Sequence, residues 1–282
     1  MPESIYKTPE GEAEIRALYD EALTGLGFGY ESLTVGTRLG DTHVLALGPE
    51  GAPPVVFLPG GNFLNPTCLK WFLPLAERHR LYAPDIVGQP GRSAQERTSP
   101  KGDGHAFWAE DVLDGLGLER APLVGLSYGA GLAVRTVGLA PERVSQAALV
   151  CPSGIAAGPV LPMLARVVLP MLLYRLRPTE ERLRRAAMPL FTKPEDPAFG
   201  AAVRQLGAAL RYLRLDADLP VRPPRRNSLA SGGQWRSSPP RRTRSSLPGR
   251  SSRGRGKSSQ TWPWPRSWKA AATSPRRRCS VG

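Results

Sequence analysis

Residues 121–131 read APLVGLSYGAG. An apolar run, Ala121 to Leu126, ends at a serine that has Gly125 and Gly129 two positions away on either side. The residues that follow, GAGLAVRTVGLA (129–140), carry apolar side chains at helical spacing. The stretch therefore predicts a buried strand, a sharp turn and a helix, with Ser127 on the turn. Such a turn lifts a hydroxyl above the carboxyl edge of a sheet. Small residues are needed beside it, because side chains there would collide with the adjoining strand and helix. A helix start at this point also directs unpaired N–H groups and the positive end of the helix dipole toward the hydroxyl.

Outward from this point the same alternation repeats. EAEIRALYDEAL (12–23) has the period of an amphipathic helix. LTVGTR and THVLALG, separated by Leu39-Gly40-Asp41, predict a hairpin. PPVVFLPGG (53–61) is a buried strand ending in a tight turn, CLKWFLPLAERH (68–79) a helix, and RLYAPD (80–85) a strand. HAFWAEDVLDGLGL (105–118) is a helix and SQAALVCPS (145–153) a further strand. Strands alternating with helices predict an α/β fold, a mostly parallel sheet flanked by helices. From about 156 to 212 the pattern is helical only, which predicts a helical cap inserted over the sheet.

Charge divides the chain at about residue 218. The whole carries a formal net charge of +14, yet 16 of its 38 Lys and Arg follow Pro220 and no Asp or Glu follows Asp218. Residues 1–218 hold 22 basic and 24 acidic groups and are near neutral, so the excess belongs to 219–282. That segment is rich in Arg, Ser, Pro and Gly with little apolar periodicity, the composition of a basic low-complexity tail. Cys68, Cys151 and Cys279 lie far apart with no C-x-x-C, which argues against a zinc site or a disulfide framework. The longest apolar run, GPVLPMLARVVLPMLLY, is interrupted by an arginine and prolines and predicts cap helices rather than a membrane span. The opening residues lack a basic and then apolar leader pattern, so the expectation is a cytoplasmic protein without a membrane partner.

Two more stretches complete a constellation. FLPGGN (57–62) follows the third predicted strand, and DIVGQPGRS (85–93), a D-x-x-G-x-x-G-x-S loop, follows the fourth. With the G-x-S-x-G elbow and the cap, taken in this order, residues 30–218 resemble the α/β-hydrolase superfamily, its esterase-like serine hydrolases in particular. The resemblance implies Ser127 as nucleophile. It also implies backbone N–H groups of Gly61 and Tyr128 as the oxyanion hole, with Asn62 as a substitute donor. Carboxylester hydrolysis of a small acyl substrate is the implied activity, and no cofactor or metal is required for it. One departure is Pro59-Gly60, where the family's usual pair is His-Gly.

The resemblance also exposes a gap. A serine hydroxyl needs a base to take its proton, and the family order is Ser, then Asp or Glu, then His. No histidine follows Ser127; the three present are His43, His79 and His105. His43 and His79 are expected to be structural. Only His105, opening the helix before the elbow strand, is placed to approach the site, and it is the one in-frame candidate base. The genetic code supplies another reading. Shifted by two bases, KSSQTWPWPRSWKAAATSP (257–275) permits a strand and a catalytic-histidine loop, the histidine falling where the Ala272 and Thr273 codons meet. The same shift lets WRSSPPRRTRSSLP (235–248) encode a strand followed by an aspartate straddling Arg242 and Thr243. A frameshift near Pro220–Arg225 would thus account for the tail. The rival reading is a non-catalytic protein whose Arg-rich tail, with Trp235, Trp262, Trp264 and Trp268, binds nucleic acid or an anionic surface. The body shows no nucleic-acid-binding pattern, which makes that reading the weaker one. The patterning points to no particular oligomeric state.

Overall fold

The computed structural model of the protein describes residues 4–99, 102–155, 160–190 and 197–214. Six strands form one mixed sheet: β1 (Tyr30–Thr37), β2 (Gly40–Leu47), β3 (Pro54–Leu58), β4 (Arg80–Pro84), β5 (Ala121–Leu126) and β6 (Val144–Val150). Their spatial order is β1-β2-β4-β3-β5-β6. β1 and β2 form the expected hairpin and β2 runs antiparallel to β4, while β4, β3, β5 and β6 are mutually parallel.

The inner strands β2 to β5 are largely buried on both faces, and the period of two in each strand distributes its side chains between two cores. Val55 and Phe57 of β3 join Leu45, Leu47 and Leu81 beneath helix α1 (Pro9–Thr24). Val56 and Leu58 join Leu123 and Val144 on the opposite face. There α4 (Gly104–Gly115) and α5 (Tyr128–Leu139) cover them with Trp108, Val112 and Leu132. Helix α1 starts three residues before the expected Glu12. Thr8 caps it by accepting from the Gly11 N–H, and Pro9, which lacks an N–H, opens the first turn.

The single helix expected over 68–79 is instead three short pieces. α2 (Asn65–Leu69) runs into a 3₁₀ turn (Lys70–Phe72) and then α3 (Leu73–Ala76). Pro74 opens α3, and a proline ring cannot continue the preceding turn's hydrogen-bond ladder. In the region expected as a cap, helices α6 (Val160–Met163), α7 (Leu169–Leu176), α8 (Glu180–Ala187) and α9 (Pro197–Tyr212) follow one another. Tyr174, Ala187, Phe199, Val203, Leu206 and Leu210 form a third small core among them. α9 serves two masters: its other face sends Ala208 and Ala209 into the core beneath α1. The tail, with its tryptophans and its off-frame acid and histidine, lies outside the described residues.

Cys68 sits in the α1-side core, and burial pushes its thiol up from an ordinary 9.0 to about 12. A neutral thiol in the fold and an ionisable one in the unfolded chain give a stabilisation that is whole below pH 9. It is lost as pH rises from 9 to 12. Thermal unfolding midpoints are expected to fall across that interval, and to fall less steeply in Cys68→Ala than in the parent chain.

Candidate active site

The elbow is where the backbone is most constrained. Ser127 lies between β5 and α5 with φ 50° and ψ −108°, a left-handed conformation that a residue with a side chain seldom adopts. Its side chain is exposed while Tyr128 behind it is buried. The flanking glycines have no room for a Cβ. At Gly125 it would stand 2.4 Å from Ala130 Cα, and at Gly129 2.2 Å from the Leu58 carbonyl oxygen. The helix start is therefore pressed directly onto the end of β3, and the Gly129 N–H donates to the Pro59 carbonyl at 3.1 Å.

Neighbouring strands lock the serine's own peptide groups. Its N–H donates to the Val150 carbonyl at 2.8 Å, and its carbonyl accepts from Gly131 N–H, Ser153 N–H and Ser153 Oγ at 3.1, 3.1 and 3.2 Å. β6 and the turn after it thus hold the elbow from the side opposite β3.

The loop after β3 brings the predicted oxyanion residues beside the elbow. Gly61 packs against Tyr128, whose Cβ would be 3.0 Å from a Cβ at position 61. Asn62 has φ 58°, and its backbone N–H donates to Gln89 Oε1 at 2.8 Å. That N–H is committed to the neighbouring loop, so the structure leaves Asn62 only its side chain for the substitute role. Gln89 itself belongs to the D-x-x-G-x-x-G-x-S loop, a link between the two loops that residue spacing did not reveal. The loop folds onto its first residue: Asp85 Oδ2 accepts the Arg92 N–H at 2.8 Å, and Ser93 Oγ donates to the Asp85 carbonyl at 2.7 Å. Gly91 is pressed against the same carboxylate, 2.7 Å from Oδ2 to a hypothetical Cβ.

His105 is buried on the α4 side of the elbow. Its ring lies edge-on to Trp108 and to Tyr128, with centroids 6.4 and 6.0 Å away. The structure thus brings it against the residue after Ser127, within a packed aromatic cluster. His79 ends α3's turn with Nδ1 against the Leu75 carbonyl, and His43 lies in β2 beside Asp85. Among the described residues no group of three or more His, Cys, Asp or Glu is arranged to hold a metal ion. No described helix is long and apolar enough to cross a membrane. A cavity of about 430 Å³ opens between α1, α2 and α9 and shares no lining residue with the elbow.

Comparison with known proteins agrees with this geometry. A model of the alpha/beta hydrolase family matches residues 55–274. An uncharacterized carboxylesterase, nap, of Bacillus subtilis (strain 168) is 37% identical over 138 residues, 48% of this chain and 45% of the relative. Carboxylesterase YbfK of the same organism is 37% identical over 139 residues, covering 48% and 46%. The chain spans about half the length of these curated relatives. Crystal structures of B. subtilis carboxylesterase CesB (YbfK) and naproxen esterase superpose with TM-scores of 0.62 and 0.63 at 26% identity. They cover 76% of this chain and 74% and 72% of theirs.

The elbow's steric demand is testable by itself. Gly129→Ala is expected to destabilise the fold by about 1–3 kcal/mol or more through overpacking against backbone. Gly200→Ala, in open space on α9, should be neutral or slightly stabilising by urea denaturation.

Proposed function

Because the chain belongs to the alpha/beta hydrolase family, we propose that its body is built for carboxylester hydrolysis on small acyl esters, with Ser127 as the nucleophile. The observation that carries this is the strained, exposed serine on a strand-to-helix turn whose two glycines are excluded by contact from bearing side chains. Ser127 Oγ attacks the acyl carbon, and the carbonyl oxygen becomes an oxyanion facing the Gly61 and Tyr128 N–H groups. Such donors act because they are fixed before charge develops. The alcohol departs, and water then releases the acid from the acyl-serine.

Deprotonating Ser127 requires a base, and the written frame supplies no histidine after it. We attribute this to a frameshift near Pro220–Arg225, which removes the acid and histidine that the shifted reading encodes. The state of β6 supports that view. Residues 145–149 are exposed on both faces of the strand, and among the described residues β6 pairs with β5 alone. A strand that holds the nucleophile's N–H would sit inside a sheet if further strands followed it.

The test compares the written chain with one whose reading frame is restored at codons 220–225, both assayed on p-nitrophenyl butyrate. The written chain should show only the residual catalysis of a serine hydrolase lacking triad members, about 10³–10⁴-fold over water. The restored chain should exceed it by at least roughly 10²-fold, and Ser127→Ala should abolish that gain. Equal rates for the two chains would refute the frameshift account. A restored chain insensitive to Ser127→Ala would refute the nucleophile.

A further inference from the structure

The described residues do contain a linked serine, histidine and carboxylate, and the serine is not Ser127. Ser32 Oγ lies 3.2 Å from His43 Nε2, and His43 Nδ1 lies 3.3 Å from Asp85 Oδ2. The three residues come from β1, β2 and the loop after β4. They are adjacent because β1 pairs with β2 and β2 with β4, which sets Ser32 opposite Leu45 and Leu45 opposite Ala83. Burial rises along the line: Ser32 is exposed, and the side chains of His43 and Asp85 are 10% and 1% exposed.

The surroundings of Asp85 orient the His43 ring. Asp85 accepts from Tyr19 O–H and Asn65 Nδ2–H on Oδ1, at 3.0 and 2.9 Å, and from Arg92 N–H on Oδ2 at 2.8 Å. An oxygen pair ringed by donors acts as a carboxylate acceptor, so the His43 nitrogen facing it carries hydrogen. In the neutral ring Nε2 is then the lone-pair nitrogen, and it faces the Ser32 hydroxyl. This is the tautomer and orientation that a serine needs from a general base, with the carboxylate placed to stabilise the imidazolium. The Tyr19 phenol oxygen, whose proton goes to Asp85, lies 3.3 Å from Nδ1 at the ring's buried edge.

We propose that Ser32, His43 and Asp85 form a second nucleophilic site, an acyl acceptor on the open surface of β1 for activated aryl esters. Ser32 Oγ bonds to the acyl carbon, its proton passes to His43 Nε2, and the bond between the acyl carbon and the phenol oxygen breaks to release a phenolate. The product is an acyl-serine at residue 32. Four strand-to-strand steps separate β1 from β5, about 19 Å at the usual spacing, so this site and Ser127 are independent. The proposal does not rest on Ser127 being catalytic.

The experiment uses the full chain carrying Ser127→Ala, treated with a fluorophosphonate probe and, separately, with p-nitrophenyl acetate. Adducts are mapped by peptide mass spectrometry. With the probe, the Oγ–P bond forms and fluoride leaves. Ser145, exposed on β6, is the internal control for an ordinary surface serine. The expected result is modification of Ser32 at least tenfold faster than of Ser145, abolished in Ser32→Ala and reduced to the Ser145 rate in His43→Gln. Thermal midpoints of the variants accompany the rates, and the Ser32→Ala chain should melt with the parent. Labelling of Ser32 no faster than Ser145 would overturn the proposal. So would undiminished labelling in a folded His43→Gln chain.

Discussion

Where α5 begins, its first turn touches the end of β3 with no side chain between them. The carbonyl groups of Leu58 and Pro59 occupy the space in which a Cβ on Gly129 would stand. Most of what positions the site follows from this contact. The helix approaches that closely only if the chain turns within one residue, and that residue is Ser127, held at positive φ. The β3 loop, tied to the helix by the Gly129–Pro59 hydrogen bond, then has its next residues laid beside Tyr128. The strained backbone at 127 is tolerated because its N–H donates to the Val150 carbonyl and its carbonyl accepts from Gly131 and Ser153.

What could be read from residues alone follows the range of the interaction concerned. The elbow, the hairpin and the parallel strands are local patterns, and β1 through β6 lie where apolar runs and turn residues place them. The break in the 68–79 helix turns on Pro74, a local signal that helical periodicity outweighed. Contacts between distant residues were not legible. Gln89 takes the Asn62 N–H from another loop, and α9, read as cap, divides its faces between the cap cluster and the α1 core. His43 reads as a strand residue, because its partners Ser32 and Asp85 are 11 and 42 positions away and meet it only through strand pairing.

The two edges of the sheet differ in kind. β1 is stitched to β2 along its full length, and Arg38 at its end forms paired hydrogen bonds with Asp111 of α4, 2.7 Å each. β6 has one described partner and exposed residues on both faces. The apolar surface elsewhere is concentrated on α6 and α7, where Leu161, Leu169, Leu172 and Leu176 stand at 50% exposure or more. Of the large apolar side chains left exposed, only Tyr30 and Trp71 among the described residues precede the elbow, and the others follow it.

The first and last described segments meet. Lys7 N–H donates to the Tyr212 carbonyl and Arg214 N–H to the Ile5 carbonyl, at 2.8 and 2.9 Å, forming a bridge between Tyr6 and Leu213. Lys7 Nζ reaches the Arg211 carbonyl as well, and Arg97 donates to that of Arg214. Topologically, residues 5–214 make a nearly closed ring, fastened by a clasp of two short extended segments. The order of the chain through the sheet is therefore separable from where the chain is cut. A covalent join across the clasp with new ends opened at Gly51, an exposed turn, preserves every strand pairing described here.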